Sequence, residues 1–150
     1  MSTLQICPEC GAAWQHAETC ETYFHQMLFW EAEFPAYGEV HHLTVLCYHL
    51  QHPHLYSPTG LREARHLLVE FVARGTTPAE VRKHNRGFVD SGTRTWKITA
   101  TTAAHGSYDQ TIIWPMTAVD VVAGGSDHYC ENVRAWARSI YETLSLIEEI

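Results

Sequence analysis

Apolar residues recur at intervals of three or four over four long stretches of the chain, which is the spacing of one face of an α-helix. The helices predicted from this spacing cover about residues 19–34, 36–51, 57–74 and 126–147. Pro35 and Pro53 end the first two, because the residue before a proline is driven out of the helical region. The predicted buried stripe of the second helix is Val40, Leu43, Cys47 and Leu50.

Residues that favour helix N-termini indicate where further helices begin. The predicted N-caps are Ser57, Thr77, Thr117 and Ser126. Glu80 and Asp120 stand three residues after two of these caps, which is the spacing of a capping box. The two helices that they start are short, and we expect them to end near residues 85–87 and at Ala123.

Between residues 94 and 114 the helical periodicity is lost. Residues 95–101, TWKITAT, alternate like a strand, and residues 110–114 could pair with them across a turn at Gly106. Because a two-stranded hairpin is marginal by itself, this segment is predicted to be either a short β-hairpin or an extended arm over the helices. The predicted fold class is mainly α, a helical bundle that forms a single domain over residues 1–150.

Charge is distributed unevenly along the chain. The formal net charge is −7, which argues against nucleic acid as the main partner, yet eight of the ten Lys and Arg residues lie between residues 62 and 97. Within that region, residues 82–86 form a basic cluster that could bind a protein partner or an anionic ligand, and that keeps nucleic acid open as an alternative. No apolar run reaches the ~20 residues of a membrane span and no basic leader is present, so we expect a cytoplasmic protein with no membrane partner.

Three cysteines near the N-terminus suggest a metal site. Cys7 and Cys10 have the Cys-x-x-Cys spacing that presents two thiolates to one zinc ion. Cys20, at the start of the first predicted helix, is a third ligand. A redox Cys-x-x-Cys pair has the same spacing, but such a pair normally opens a helix after a strand.

The length of the first helix selects the fourth ligand. From Cys20 to Phe34 a helix rises roughly 21 Å at about 1.5 Å per residue. The short corner after Phe34 forces a reversal, so the far end of the second helix returns to the level of Cys20, near His49 and His52. His52 is the better candidate because Pro53 ends the helix there and frees its ring.

The predicted site is therefore a Cys3His zinc centre of Cys7, Cys10, Cys20 and His52. A filled tetrahedral set of this kind is structural, because no coordination position is left for a substrate. The alternative is a set of free cysteines and surface histidines, although an odd cysteine count in a reducing compartment favours metal over disulfides. Cys47 is predicted to lie in the core, and Cys130 in the first turn of the last helix, where the dipole would lower its thiol pKa.

Several of these segments together resemble a bacterial family catalogued as domain of unknown function 5946. The residues that carry the resemblance are 7–11, Cys20, 40–41, 43–45, Tyr48, 51–53, 66–67, 116–121 and 133–137. The resemblance implies that His41, His52 and His66 occupy motif positions, and it implies no particular reaction. Leu46 stands where the family pattern leads us to expect an aspartate, which argues against a catalytic carboxylate on the second helix.

Two functions are open from the sequence. The first is a small zinc-stabilised helical protein that acts as a binding or interaction module, through the basic cluster at 82–86 or an aromatic surface around Trp96 and Trp114. The second is a metal-dependent enzyme, a hydrolase or a transferase, with a histidine site between the second and third helices. The residues of that second site would be His41, His66 and either Glu39 or Glu70. Phosphate-loop, dinucleotide, His-Glu-x-x-His and Gly-x-Ser-x-Gly motifs are all absent, so the sequence does not decide whether the protein is an enzyme.

Overall fold

The computed structural model describes residues 4–14, 18–90 and 104–150 of the chain. Within these residues a two-stranded antiparallel sheet precedes six α-helices, which confirms the predicted mainly α fold. The elements are β1 (Gln5–Ile6), β2 (Ala13–Trp14), α1 (Cys20–Glu33), α2 (His41–Leu50), α3 (Pro58–Leu68), α4 (Pro78–Asp90), α5 (Ala118–Ala123) and α6 (Tyr129–Leu146).

Short irregular turns join or extend several helices. Residues Pro35–Val40 form a 3₁₀ segment where the sequence predicted the first turn of the second helix, and a second 3₁₀ segment covers Pro53–Leu55. Val69–Ala73 continues α3 as a π-helical turn, and the chain leaves it through Gly75, whose φ of 68° suits glycine. The π turn widens the end of α3 and was not predicted.

Most predicted helix starts are confirmed by their hydrogen bonds. The side chain of Thr19 accepts from the backbone N–H of Thr22 at the start of α1, and that of Ser57 accepts from Gly60 at the start of α3. At the start of α4 the Thr77 hydroxyl accepts from the Glu80 N–H and donates to the Glu80 carboxylate, although α4 continues to Asp90 instead of ending near residues 85–87.

The predicted cap of the last helix is wrong. His128 is the N-cap residue of α6, and no side chain caps this end. Ser126 contributes its backbone carbonyl instead, which accepts from the Tyr129 N–H at 3.3 Å and from the Tyr37 hydroxyl at 2.7 Å. The left-handed Gly125, with φ of 82°, is followed by a turn of residues 126–128, which moves the helix start past the serine.

Helices α1 and α2 form the antiparallel hairpin that the sequence predicted. At its base, Phe24 stacks on Tyr48 with ring centroids 4.2 Å apart. At its closed end, the Glu31 carboxylate lies 2.6 Å from Nδ1 of His41. Later residues of α1 therefore contact earlier residues of α2. This antiparallel register brings Cys20 level with the residues just beyond α2.

The core is centred on α6. Its inward face is fully buried and has the apolar spacing from which the sequence predicts a helix over residues 126–147: Tyr129, Val133, Trp136, Ile140 and Leu144. Met27, Leu50, Leu61, Leu68 and Val121 pack into the same cluster from the other helices. Each of these side chains contributes about 1.5–3 kcal/mol by its removal from water, so the bundle has a core that does not depend on the N-terminal residues alone.

The described part of the 94–114 segment, residues 104–114, is an extended arm. Its Gly106 N–H donates to the Tyr56 carbonyl at 2.8 Å, and its Tyr108 hydroxyl donates to the Leu50 carbonyl. No strand is assigned to residues 110–114, and the predicted partner strand at 95–101 lies outside the described residues. Trp114 is only 8 % exposed, so the prediction of an aromatic surface is wrong at Trp114, and Trp96 also lies outside the described residues.

The end of α2 is tied to α6 and to the residues that follow the arm by one buried amide. Gln51 is fully buried; its Nε2 donates to the Met116 carbonyl at 2.7 Å, and its Oε1 accepts from the Trp136 indole at 3.3 Å. A buried amide with both ends bonded fixes three segments relative to one another. No helix in the described ranges is long and apolar enough to cross a membrane.

Candidate metal centre

A tight knuckle between β1 and β2 carries the first two cysteines. The Cys7 N–H donates to the Ala12 carbonyl at 2.9 Å, and Gly11 closes the turn with a φ of 78°. Inside the turn, the Cys10 N–H points at the Cys7 sulfur at 3.5 Å, and the Ala12 N–H points at the Cys10 sulfur at 3.4 Å. Backbone donors directed at sulfur stabilise thiolates, which are the metal-binding form of cysteine.

The third sulfur comes from the first residue of α1. Cys20 follows the Thr19 cap and is buried, and its Sγ lies 3.4 Å from Sγ of Cys10. The helix start therefore places this sulfur against the knuckle.

His52 completes the cluster from beyond the end of α2. Its Nδ1 lies 2.6 Å from the Tyr48 carbonyl oxygen, so Nδ1 carries the proton and donates it to that carbonyl. This leaves Nε2 directed at the sulfurs, 3.7 Å from Sγ of Cys7. A backbone carbonyl behind a histidine ring is the usual support of a metal-binding imidazole.

The four ligand atoms all lie within 4.8 Å of one another, and the four side chains are buried. A tetrahedron with metal–sulfur bonds of about 2.3 Å has edges of about 3.8 Å, so an ion fits between them with small movements. Three thiolates and one imidazole form a soft donor set that suits Zn²⁺. The four residues predicted from the sequence therefore lie side by side in the fold, where they form a candidate metal-binding cluster.

Without a metal, the pKa values of the cluster residues are shifted in different directions. Hydrogen bonds from Cys10 and Cys20 lower the pKa of Cys7, while hydrogen bonds with Cys10 and Cys7 raise the pKa of Cys20. Burial lowers the pKa of His52, but its hydrogen bonds with Cys10, Cys7 and the Tyr48 carbonyl outweigh burial and raise the pKa to about 10. Without a cation, negative charge is therefore stabilised on the Cys7 sulfur and disfavoured on the Cys20 sulfur.

His49, the rejected alternative, lies outside the cluster. Its Nδ1 is 2.8 Å from the Val45 carbonyl oxygen, and its ring packs against Tyr56 with centroids 5.2 Å apart. Burial lowers the pKa of His49, which keeps the ring neutral in this apolar contact.

A second contact, which the sequence did not reveal, joins the knuckle to the same region. Glu9 accepts hydrogen bonds from the backbone N–H of His54 at 3.2 Å and from its ring Nδ1. The knuckle is thus held beside the α2–α3 connection by a carboxylate as well as by the cluster. No spacing rule identifies such a pair, because its two residues are 45 positions apart.

The predicted second histidine site is not formed. His41 faces Glu31 across the α1–α2 hairpin, whereas His66 lines a cleft of about 360 Å³ beside Glu148 and Glu149. The predicted carboxylates are engaged elsewhere: Glu39 pairs with Arg134, and Glu70 pairs with Arg74 and Thr76. Among the described residues, the only group of three or more candidate ligands is the cluster of three cysteines and His52.

The two remaining cysteines behave differently from each other. Cys47 is fully buried in α2, as predicted, and burial raises its pKa. Cys130 lies in the first turn of α6, but the predicted lowering of its pKa is wrong: burial and a hydrogen bond with the Glu39 carboxylate raise it. Burial and the nearby carboxylate both favour the neutral thiol.

The sequence model of a family of unknown function, DUF5946, matches residues 5–145. The chain belongs to this family. The match spans all four members of the cluster and both helices that position them. Among curated proteins and among solved structures, nothing matches the chain.

Proposed function

We propose that the chain is a single helical domain stabilised by one structural zinc ion, and that it acts as a binding module. The observation that supports this is the convergence of four buried soft ligands from three separate segments, with all ligand atoms within 4.8 Å of one another. The ligands are Cys7, Cys10, Cys20 and His52. Bound zinc would add its binding free energy directly to folding, because the unfolded chain does not present the four ligands together.

The donor set favours a structural role for the ion over a catalytic one. Three thiolates and an imidazole fill a tetrahedral shell, whereas catalytic zinc keeps a position for water or substrate. The burial of all four side chains also keeps solvent and substrate away from the ion. A reducing compartment such as the cytoplasm suits this role, because thiol ligands only 3.4 Å apart must stay reduced to bind metal.

A binding role is supported by the exposed polar and apolar surfaces that the zinc centre does not use. Arg82 and Lys83 of the predicted basic cluster are exposed on α4, and Arg82 lines a groove between α2, α3 and α4. An exposed cation next to an apolar groove is a site for a ligand or partner that carries an anionic group.

Zinc analysis of Cys10→Ser against a matched control tests the metal assignment. Inductively coupled plasma mass spectrometry of the purified wild type should give one zinc per chain, and Cys10→Ser should lose it. Cys130→Ser removes a thiol that is not part of the cluster, so this variant should keep one zinc per chain. Equal zinc content in Cys10→Ser and the wild type, or an equal loss in Cys130→Ser, contradicts the proposed centre.

A further inference from the structure

A groove between α2, α3 and α4 is separate from the metal cluster. Its volume is about 390 Å³, within the range of small-molecule sites. Apolar side chains form most of its walls: Val45, Leu46, Ala64, Leu67, Phe71 and Val81. A volume of this size suits a single extended small molecule.

The polar groups of this groove are segregated towards its two ends. His42 contacts Phe71 at one end, with ring centroids 4.7 Å apart, and the charge of Arg82 acts on the same His42 ring. Glu63 lines the groove eight residues before Phe71, which is roughly 12 Å along a helix. One end is therefore cationic, and the carboxylate lies towards the other.

Arg82 is available to a ligand. Three other arginines pair with carboxylates at 2.7–2.9 Å: Arg65, Arg74 and Arg134. Arg82 has no such partner within the part of the chain that the structure describes, and its side chain is exposed at the rim of the groove. Its charge can therefore approach an anion without first leaving a carboxylate.

His41 also lines the groove, at the same end as His42 and Arg82. Its Nδ1 is held by Glu31 at 2.6 Å, and Glu31 is itself held by the Tyr129 hydroxyl. The carboxylate fixes the ring, while Nε2 has no hydrogen-bond partner among residues 4–14, 18–90 and 104–150. The Nε2 edge of the ring is therefore open to the head group of a ligand in the groove.

We propose that this groove binds a small amphiphilic anion, a straight-chain alkyl carboxylate, with its chain between the apolar walls and its carboxylate at Arg82 and His41. Charge complementarity at one end and apolar walls along the rest select this class over an uncharged or a fully polar ligand. The inference deepens the binding role proposed above and rests on it, but it does not depend on which metal the cluster binds.

Isothermal titration calorimetry with octanoate tests the inference. The wild type should bind octanoate saturably at one site, and Arg82→Gln should weaken that binding about 5-fold, as the loss of one exposed ion pair predicts. Lys83→Gln is the matched control, because Lys83 is the exposed neighbour that does not line the groove. It removes the same charge and should leave the affinity unchanged.

The chain length and the head group of the probe test the two halves of the groove separately. Octanoate should bind about 15-fold more tightly than hexanoate, since each buried CH₂ contributes about fourfold in affinity. Octan-1-ol lacks the anionic group and should bind equally to the wild type and to Arg82→Gln. An affinity that does not rise with chain length, or equal losses in Arg82→Gln and Lys83→Gln, overturns the inference.

The zinc content of each sample separates this test from that of the metal centre. A wild type that holds one zinc but shows no saturable octanoate binding overturns the groove inference alone. A wild type that binds octanoate as described but holds no zinc overturns the metal assignment alone.

Discussion

Two histidines three residues apart, His49 and His52, show how local backbone geometry assigns a role to a side chain. Both place Nδ1 on the carbonyl four residues earlier. His49 is still in α2 and packs against aromatic rings, whereas His52 lies past its end with φ of −130° and ψ of 66°. Because Pro53 follows, the helix cannot continue, and the changed backbone direction turns His52 towards the sulfurs.

The acid sensitivity of the fold depends partly on His42. Burial lowers its pKa below the usual 6.5, and the charges of His41, Arg134 and Arg82, from α2, α6 and α4, lower it further. As pH falls through 6.5 the unfolded chain takes up this proton before the folded chain does, so the free energy of unfolding decreases.

We expect His42→Gln to reduce this pH dependence. The difference in the free energy of unfolding between pH 7.5 and pH 5.5, measured by urea titration, should be smaller for His42→Gln than for the wild type. The variant and the wild type share all other titrating groups, so their difference isolates His42. Two parallel stability profiles would show that His42 does not contribute.

Among the elements, α2 connects the most parts of the molecule although it has only ten residues. It meets α1 through His41 and Glu31, and Gln51 just past its end joins it to α6 and to the residues that follow the arm. The arm has no regular secondary structure, yet it is fixed by hydrogen bonds from Gly106, Tyr108 and Gln110 and by the burial of Trp114. The position of the arm depends on close contact between its backbone at Gly106 and residues of the α2–α3 region.

Gly106 is the point where the arm approaches the helices most closely. A Cβ at this position would lie 2.9 Å from the Pro53 carbonyl oxygen and 3.2 Å from Cβ of Leu61. Gly106→Ala should therefore destabilise the protein by about 1–3 kcal/mol in urea unfolding, because backbone and a packed side chain must move.

Gly38→Ala is the matched control for this substitution. A Cβ at Gly38 meets no atom within 4 Å, so the change should be neutral or should stabilise by about 0.4–1 kcal/mol through the unfolded chain. If the two alanine variants have the same stability, the arm does not rest against the helices as described.

For the molecule as a whole, the candidate metal cluster and the helical core stabilise different parts of the fold. The cluster and the Glu9–His54 contact attach the knuckle to one end of the α1–α2 hairpin. The two largest fully buried side chains among the described residues, Trp136 and Tyr129, lie in α6. Loss of the metal should therefore loosen the N-terminal residues more than the bundle.

Hydrogen exchange measured by mass spectrometry, with and without chelator, tests this division. After metal removal, amides of residues 5–14 should exchange at least about 10-fold faster, because the N–H groups of Cys10 and Ala12 lose the ordered sulfurs that accept from them. Amides in the middle of α6 should keep their protection. A parallel loss of protection in α6 would mean that the ion holds the whole fold together.

The sequence by itself determined where most of the helices lie and which residues are candidate metal ligands. Prolines, capping residues and apolar spacing act within a few residues, so the starts of α1, α3 and α5 follow from local chemistry. The choice of His52 also followed from local information, because a known helix rise and one sharp corner fix where the chain returns. These properties need no knowledge of how the helices rotate against one another.

Only the tertiary structure decided which side chains from different helices meet. Periodicity does not specify the rotation of α3, so it could not show that His66 turns away from His41, or that Glu31 is the carboxylate His41 contacts. The burial of Trp114 and the raised pKa of Cys130 likewise depend on residues far away in the chain. Such contacts arise when whole elements pack, because side-chain direction then depends on every neighbouring surface.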